Sequence, residues 1–352
     1  MDRRIMMPNV AGVFAMLLNF RDSRVKARIR PLFDEDCARI ARWELPERAW
    51  ETDIYVTRRC NMSCSYCYIK EYFDRGQVFK DPDIQLLRCL IDRIAPKTYG
   101  LVVLGGEPLI RKDLSQVLAY AREQGIPSIR ISSNGTFVND STEALRYVDR
   151  LNISLDATRK REFPQLVAKM LVDVPQAKQA MGNEFPAVCI SYTLSHSEVF
   201  DTDILPIINY ARTNGFDIKF LPCKYPNKDV NWELLRTVVD RAREYVDDGA
   251  LLNISDLVTQ ISHEFLFRNC LQGMQFYIDF EGHFLYPCDE YPEHRVGRIY
   301  DHSVENLYRM GVEKYGRYPS ATEKTCLRCK SYCHAENSYG YRHPERQLAN
   351  LG

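Results

Sequence analysis

From about residue 52 onward, short apolar runs alternate with longer segments in which apolar residues recur every three or four positions. The short runs are typical of buried strands, and the periodic segments are typical of amphipathic helices. The predicted strands cover 53–57, 101–104, 128–132, 151–155, 187–194 and 216–221. Helical periodicity lies between them, as at 84–94 and 204–211, and Asp113 and Gly125 are placed to begin and end another helix.

Six strand–helix units in succession predict a parallel sheet with helices packed on its outside. Eight such units close a complete barrel, so six predict an α/β fold with a partial, open (β/α)6 TIM-like barrel. In folds of this kind the functional loops lie at the carboxyl ends of the strands.

Beyond residue 221 the pattern changes. Two further helices, around 232–246 and 257–267, lead to apolar runs at 276–280 and 284–286 that flank Gly282 and predict a β-hairpin. Ser303 is placed to cap a short helix over 304–310. We therefore divide the chain into an N-terminal helical extension (1–51), the partial barrel (52–250) and a small C-terminal α+β domain (251–352).

Charge and hydropathy exclude several classes of protein. The 352 residues include 47 basic and 47 acidic side chains, so the formal net charge is zero and no nucleic-acid partner is expected. The apolar run at 5–20 is too short to span a bilayer and is interrupted by Pro8, Asn9 and Asn19, so we expect a helix packed on the domain instead of a membrane anchor. Without an export signal, the twelve cysteines are expected to be reduced, in the cytoplasm.

Cys60, Cys64 and Cys67 form a C-x3-C-x2-C pattern directly after the first predicted strand. A cubane [4Fe–4S] cluster usually takes four thiolates, so three leave one iron open to chelate a small molecule. Tyr66, beside the third cysteine, would shield the cluster from water. Zinc is the alternative, although zinc sites favour C-x2-C pairs with four N or S ligands and no His lies nearby.

This segment resembles the signature of the radical S-adenosylmethionine (SAM) superfamily, and the resemblance extends over 52–222. The family's Gly-Gly-Glu-Pro element, which binds the methionine amino group of SAM, is matched here after the second predicted strand. The matching residues are Gly105, Gly106, Glu107 and Pro108. Glycines at such a position let the backbone approach a ligand closely.

Two more segments agree with the resemblance. Ser133 and Asn134 belong to a Ser-Asn-Gly element after the third strand, and Ser154 and Asp156 end the fourth. The resemblance implies that these side chains line the cofactor or substrate side of the barrel. Taken singly, each is also a common helix-capping or turn residue.

A second group of cysteines brackets the predicted hairpin and follows the last helix. Its members are Cys270, Cys288, Cys326, Cys329 and Cys333. The segment is similar to the SPASM and twitch domains that carry auxiliary clusters in the family, although SPASM uses seven cysteines and ends in C-x2-C-x5-C. The resemblance implies one auxiliary [4Fe–4S] cluster held by Cys270, Cys288 and two of the last three cysteines. A zinc ribbon is the alternative.

The resemblance implies an enzyme that cleaves SAM to a 5′-deoxyadenosyl radical, which abstracts a substrate hydrogen. An auxiliary cluster favours net oxidation, and a flavodoxin- or ferredoxin-type donor is expected to supply the electron. The short segment before the barrel favours a small metabolite over a peptide substrate, with a peptide maturase as the alternative. A non-catalytic iron–sulfur or zinc protein is the alternative of another class. Cys223, just past the sixth strand, is a candidate catalytic thiol or a packing residue.

Overall fold

The computed structural model describes residues 23–41, 48–49, 51–67, 69, 80–195, 198–223, 231–246, 250–251, 275–286 and 294–315, and the structural statements below concern these residues. Their strands are β1 (Glu51–Thr57), β2 (Gly100–Gly105), β3 (Ser128–Ser133), β4 (Arg150–Ser154), β5 (Ala187–Leu194), β6 (Asp217–Pro222), β7 (Gln275–Ile278), β8 (His283–Leu285) and β9 (Arg295–Arg298). Their α-helices are α1 (Ser23–Ala41), α2 (Ile84–Ile94), α3 (Leu114–Glu123), α4 (Thr142–Leu145), α5 (Ala157–Glu162), α6 (Pro164–Met181), α7 (Leu205–Asn214), α8 (Trp232–Ala242) and α9 (Val304–Tyr315).

The described strands form one sheet in the order β6-β5-β4-β3-β2-β1-β7-β8-β9. The first six pair with their neighbours in parallel, with helices between them along the chain, which confirms the predicted partial TIM-like α/β fold. Strand interiors are apolar because both faces of such a sheet are covered. Ile54 and Val103, paired across β1 and β2, are both completely buried.

The predicted hairpin is confirmed and continues the same sheet. β7 pairs in parallel with β1, β8 pairs antiparallel with β7, and β9 pairs antiparallel with β8. The hairpin turn contains Gly282 at a φ of +78°, a backbone conformation that favours glycine. Helix α9 covers the hairpin through the fully buried Leu307 and through Gly311, whose α-carbon faces Tyr286.

Several helix ends differ from the predictions. α8 ends at Ala242, short of 246, because the amides of Glu244 and Tyr245 bond three residues back, to Arg241 and Ala242, and tighten the turn. α9 continues to Tyr315, well beyond the predicted 310. α1 lies within the predicted helical extension. The predicted helices at 5–20 and 257–267 lie outside the described residues.

Asp113 stands at the N-cap position of α3, as predicted, but its side chain accepts no capping hydrogen bond from the helix. Its carboxylate instead pairs with Arg111, with Nε–Oδ1 and Nη2–Oδ2 distances of 2.6 and 2.9 Å. The Arg111 guanidinium therefore binds the Asp113 carboxylate in place of the helix amides that a capping residue would bind. No helix in the described part of the chain has the length and apolar character needed to cross a bilayer.

Candidate active site

The loops that follow β1 to β4 meet at one edge of the sheet, because the carboxyl ends of parallel strands share an edge. The cysteine segment leaves β1 at Thr57 and is anchored there by Asp81, a residue that sequence reasoning missed. The Asp81 carboxylate accepts hydrogen bonds from Thr57 Oγ1 at 2.8 Å, from the Arg58 amide at 3.1 Å and from Arg59 Nε at 2.7 Å. Asp81 fixes where the cysteine loop begins.

Cys60, Cys64 and Cys67 lie on this one loop, and none of them forms a disulfide. Cys60 is exposed, Cys64 buried and Cys67 half-buried, and the Cys67 amide donates to the Cys64 carbonyl at 3.2 Å in a tight turn. Although Cys60 as a whole residue is exposed, desolvation of its thiol raises its pKa to about 11, and desolvation also raises the pKa of the Cys64 thiol. Because ligands to a metal must be deprotonated, cluster binding here would release protons.

Three thiols on a single loop fit a [4Fe–4S] cluster that keeps one iron for an outside ligand. Zinc would need a fourth nitrogen or sulfur donor. Among the described residues, the one group of three or more His, Cys, Asp and Glu side chains whose ligand atoms all lie within 4.8 Å of one another is Asp279, Glu281 and His283, which contains no cysteine. The donor set therefore fits the cluster better than it fits zinc.

Gly105 and Gly106 lie against the backbone of the cysteine loop. A β-carbon on Gly105 would stand 2.4 Å from the Thr57 carbonyl oxygen, and one on Gly106 would stand 2.3 Å from that of Arg59. The Gly106 amide donates to the Thr57 carbonyl at 2.9 Å and the Glu107 amide to the Arg59 carbonyl at 2.8 Å. In this structure the close approach that the glycines permit is to the protein's own loop, and contact with SAM stays a prediction.

The Glu107 carboxylate joins this segment to the next loop. It is completely buried and accepts hydrogen bonds from Ser133 Oγ at 2.8 Å, from the Leu109 amide at 3.0 Å and from the Asn134 amide at 2.6 Å. Burial raises the pKa of Glu107 to about 6, and the three donors oppose that rise. Pro108 is buried and begins a short 3-10 turn after it. The acidic side chain thus holds two loops together.

Asn134 connects the cysteine loop to the loop after β3. Its Nδ2 donates to Asn61 Oδ1 at 2.8 Å and lies 4.0 Å from Cys60 Sγ, while its Oδ1 accepts from Thr136 Oγ1 at 2.7 Å. Asn61 Nδ2 closes the ring by donating to Thr136 Oγ1 at 3.0 Å. Asn61 and Thr136 were not among the predicted site residues, although Asn61 lies within the cysteine motif and Thr136 directly follows the Ser-Asn-Gly element.

Asp156 sits at the end of β4 and beside the cysteine loop. Its fully buried carboxylate accepts from the Tyr66 hydroxyl, from the Arg159 amide at 2.9 Å and from Arg159 Nη1 at 3.0 Å. Burial raises the pKa of Tyr66. Ser154 pairs with Ser191 across β4 and β5. The structure brings Tyr66 and Asp156 together, and a role for either Asp156 or Ser154 in binding SAM stays a prediction.

Glu198 and Cys223 extend the same edge of the sheet. Burial raises the pKa of Glu198 to about 7, with Ser195 and Arg161 opposing and Asp156 reinforcing the rise. Sequence reasoning missed Glu198, because no motif marks it. Cys223 lies one residue past β6, is half-buried, and donates its amide to the Leu194 carbonyl at 2.9 Å. A catalytic role for this thiol stays a prediction.

The turn between β7 and β8 also lies at this edge. Asp279, Glu281 and His283 could together hold a metal ion by their chemistry, but Arg295 pairs with Asp279 at 2.7 Å and with Glu281 at 2.8 Å. Arg58, two residues before Cys60, pairs with Glu281 at 3.7 Å and stacks on Phe280. We interpret the group as an ion-pair network that joins the hairpin to the cysteine loop.

The residues predicted to hold an auxiliary cluster all lie outside the described residues. They are Cys270, Cys288, Cys326, Cys329 and Cys333. Their ligand roles stay predictions.

Residues 54–181 match the sequence profile of the Radical SAM superfamily. Among curated proteins, a GTP 3′,8-cyclase from Staphylococcus haemolyticus is 29% identical over 199 residues, which cover 53% of this chain and 57% of the relative. One from Limosilactobacillus fermentum is 27% identical over 176 residues, covering 48% and 52%. The chain therefore spans about half the length of the curated relatives it matches.

Two solved structures share the fold. Streptococcus suis SuiB bound to the precursor peptide SuiA aligns with a TM-score of 0.60 at 15% identity, over 78% of this chain and 68% of SuiB. The structure of anSMEcpe with bound AdoMet aligns with a TM-score of 0.58 at 14% identity, over 86% and 95%. The matched profile begins in β1 and ends in α6, so it contains the cysteine loop and the three loops that surround it. Residues 54–181 of this chain are therefore similar to the Radical SAM superfamily.

Proposed function

We propose that this chain is a radical SAM enzyme that binds its [4Fe–4S] cluster through Cys60, Cys64 and Cys67 and uses the radical released from SAM to abstract a hydrogen atom from a small metabolite. The observation that carries the proposal is the meeting of the cysteine loop with the ends of β2, β3 and β4. Glu107, Asn134 and Asp156 each bond to a second loop in this arrangement.

When bound, the cluster supplies one electron that cleaves the C5′–S bond of SAM. The chain's own residues position the reactants, since a primary radical attacks whichever C–H bond lies nearest. Asp81 and Asn134 hold the first part of the cysteine loop, through Thr57 and Asn61. Glu107 holds the Gly-Gly-Glu-Pro segment in place. Tyr66 ties the later part of the loop to the end of β4 by donating a hydrogen bond to Asp156.

The curated relatives favour a small-molecule substrate. These relatives are cyclases whose name gives GTP, a small molecule, as the substrate. The likeness to SuiB is one of fold, at 15% identity, and does not bear on the substrate. A peptide maturase is therefore the second candidate function, and a test of candidate substrates can distinguish it from the first.

The first experiment measures iron and 5′-deoxyadenosine. Protein reconstituted without oxygen and given SAM with reduced flavodoxin or ferredoxin is expected to release 5′-deoxyadenosine. Cys64→Ala is expected to abolish that release and to lower bound iron by about four per chain. Cys89→Ala, which removes a half-buried thiol on α2, is the matched control and should change neither quantity. Release of 5′-deoxyadenosine by Cys64→Ala at the wild-type rate would contradict the proposal.

We also propose one auxiliary [4Fe–4S] cluster, held by Cys270, Cys288 and two of Cys326, Cys329 and Cys333, and a net oxidation of the substrate. Bound iron of about eight per chain supports this, whereas about four with one zinc contradicts it. Replacing Cys270 and Cys288 with Ala is expected to remove about four irons and stop product formation while SAM cleavage continues. Loss of cleavage as well would assign those cysteines a structural role.

Candidate substrates separate the two functions. Deuterated nucleotides and other small metabolites, or deuterated peptides, are offered with unlabelled SAM, and deuterium transfer from substrate to 5′-deoxyadenosine is measured by mass spectrometry. Transfer from a small metabolite supports the proposal, and transfer from a peptide alone supports the maturase.

A further inference from the structure

The inner face of the barrel sheet, on the side away from the helix-covered core, carries all the charged side chains of the barrel strands. Strands β1 to β6 contain six charged residues, and each of these has a completely buried neighbour in sequence. They are Glu51, Asp53, Arg130, Arg150, Asp217 and Lys219. On β6, for example, Ile218 and Phe220 are completely buried in the core that the helices cover, whereas Lys219 between them is half-buried. Because side chains alternate between the two faces of a strand, the six charges share the inner face.

Four of these charges pair with one another near the amino ends of the strands. Arg130 pairs with Glu51, and Arg150 pairs with Asp217 at 3.3 Å. The four side chains keep between 16% and 27% of their surface exposed. Charges sealed inside a closely packed core would cost much more free energy than charges that stay in contact with water. The inner face is therefore open enough to admit a polar molecule.

Lys219 lies nearer to the carboxyl edge of the sheet than these ion pairs do. The strand register places Lys219 beside Ser191 on β5, and Ser191 beside Ser154 on β4. Ser154 is the last residue of β4 and stands two residues before Asp156, which binds Tyr66 of the cysteine loop. Neighbouring strands lie about 4.8 Å apart, so the backbones of Lys219 and Ser154 are about 10 Å apart across the face. That separation leaves room for a small molecule beside the cysteine loop.

The chemistry of Lys219 suits an anion. Its ammonium group is a compact positive charge with three donors, and such a group binds carboxylates and phosphates. Ser191, its neighbour on β5, adds a hydroxyl that can donate to the same anion. Both residues are half-buried, and a charge interaction is stronger in such a position than on an exposed surface.

We propose that Lys219 binds an anionic group of the substrate, a carboxylate or a phosphate, with the Ser191 hydroxyl donating a hydrogen bond to the same group. The inference rests on the proposed function and deepens it, since it gives the small metabolite a negative charge and a place on the inner face. A substrate held at one end by Lys219 can extend toward the cysteine loop. The position of the anionic group then decides which C–H bond lies nearest to the radical.

The experiment measures the binding of two probe anions, inorganic phosphate and acetate, to the whole reconstituted chain by isothermal titration calorimetry without oxygen. SAM is present in excess, so that neither anion binds at the open iron, and the titration is repeated without SAM. The wild-type chain is expected to bind at least one anion in the presence of SAM. The anion that binds more tightly identifies the substrate group as a phosphate or a carboxylate.

Three variants give the comparison. Lys219→Met removes the charge while keeping a side chain of similar length, and its affinity for the anion is expected to fall at least about tenfold, because a hydrogen bond to a charged group is lost. Lys219→Arg keeps the charge and is expected to retain most of the affinity. Lys160→Met removes an exposed charge from α5 and is expected to leave the affinity unchanged.

Each variant is also assayed for iron content and for 5′-deoxyadenosine release in the absence of substrate. Lys219→Met is expected to keep both, since the proposed anion site is separate from the cysteine loop. Where Lys219→Met holds too little iron to titrate, Lys219→Gln is titrated in its place and the same fall in affinity is expected.

Binding of neither anion by the wild-type chain, or equal affinity in Lys219→Met, overturns the inference and leaves the proposed function standing. Binding that occurs only without SAM also overturns it, because the anion then competes with SAM for one site. An equal loss of affinity in Lys160→Met overturns it by showing an effect of net charge alone. Failure of the wild-type chain to release 5′-deoxyadenosine contradicts the proposed function itself, which the calorimetry does not measure.

Discussion

The Glu107 carboxylate accepts hydrogen bonds from both sides of the junction between β2 and β3, and it does so without any contact with solvent. Ser133 and the Leu109 amide share one oxygen, and the Asn134 amide takes the other. A buried donor that loses its acceptor destabilises the folded state, because the donor has given up its hydration and no hydrogen bond replaces it. The arrangement therefore depends on an acidic residue with two acceptor oxygens.

Glu107→Gln tests this dependence. In either orientation the new amide nitrogen meets a backbone N–H, that of Leu109 or that of Asn134, so one buried donor loses its partner. The free energy of unfolding, measured with urea, is expected to fall by about 1–3 kcal/mol. Glu143→Gln, at an exposed position on α4, is the control and should lie within about 0.5 kcal/mol of wild type. Equal stability of the two variants would contradict the dependence on a carboxylate at position 107.

Glu198 gives the opposite case of a carboxylate with too few donors. Both of its oxygens are shielded from solvent, and neither forms a hydrogen bond of normal geometry with a described residue. Burial raises its pKa from 4.5 to about 7. Between those two values the folded state holds a proton that the unfolded state has released, so the stability from this residue is lost as pH rises through that window.

Glu198→Gln removes this titration. The variant is expected to become steadily more stable than wild type between pH 5 and pH 7.5, because wild type alone must then bury a charge. Urea unfolding of both proteins across that range measures the difference, with Glu143→Gln as the exposed control. A difference that stays constant with pH, or that falls as pH rises, is the contrary result.

At the scale of elements, the end of β2 and the cysteine loop after β1 are packed backbone to backbone. This contact depends on Gly106, since a β-carbon there would lie 2.3 Å from the Arg59 carbonyl and 2.7 Å from that of Arg58. Neither carbonyl can move without moving the start of the cysteine loop. The geometry of the proposed cluster site is thus set by a neighbouring strand.

Gly106→Ala is expected to push the cysteine loop away from β2. The predicted result is destabilisation by about 1–3 kcal/mol together with a loss of bound iron, measured on reconstituted protein. Gly125→Ala is the matched control, because its β-carbon would meet nothing within 4 Å but its φ of +82° penalises alanine. The control should lose stability and keep its iron. Full iron content in Gly106→Ala would contradict the prediction.

Elements with a strong local pattern were predictable from the sequence. The six strands of the barrel begin and end within two residues of their predicted bounds, since each combines an apolar run with polar or glycine residues that stop it. Motifs predicted Cys60, Glu107, Asn134 and Asp156 as site residues, and the structure places them around one edge of the sheet. Their roles stay predictions. What the motifs do not contain is which donor each side chain meets. Those contacts join loops far apart in sequence, such as Tyr66 and Asp156, and no local periodicity records them.

At the scale of the whole molecule, the hairpin of β7 and β8 is part of the barrel sheet. β7 pairs with β1 from Glu51↔Gln275 to Ile54↔Ile278, across more than two hundred residues of sequence. The hairpin pattern was visible in the sequence, but its partner strand was not, because pairing of distant strands leaves no local signal. Strands from both sides of the predicted domain boundary near residue 250 belong to one continuous sheet. The boundary itself stays a prediction.

The pairing of β1 with β7 can be tested by cutting the chain between them. A protease site inserted within 252–260 of the full chain is cleaved after folding, and the fragments are followed by size-exclusion chromatography. We expect them to elute together in buffer and apart in urea, because Ile54 and Ile278 are completely buried at their junction.

Ile278→Asp should separate the cut fragments without urea, since it buries an unpaired charge. Leu86→Asp, at a side chain that is 41% exposed, is the control and should leave them together. Separation of the unmutated fragments in plain buffer would instead mean that the hairpin and the barrel are independent units, and that the ion pair of Arg58 with Glu281 does not hold the hairpin against the cysteine loop.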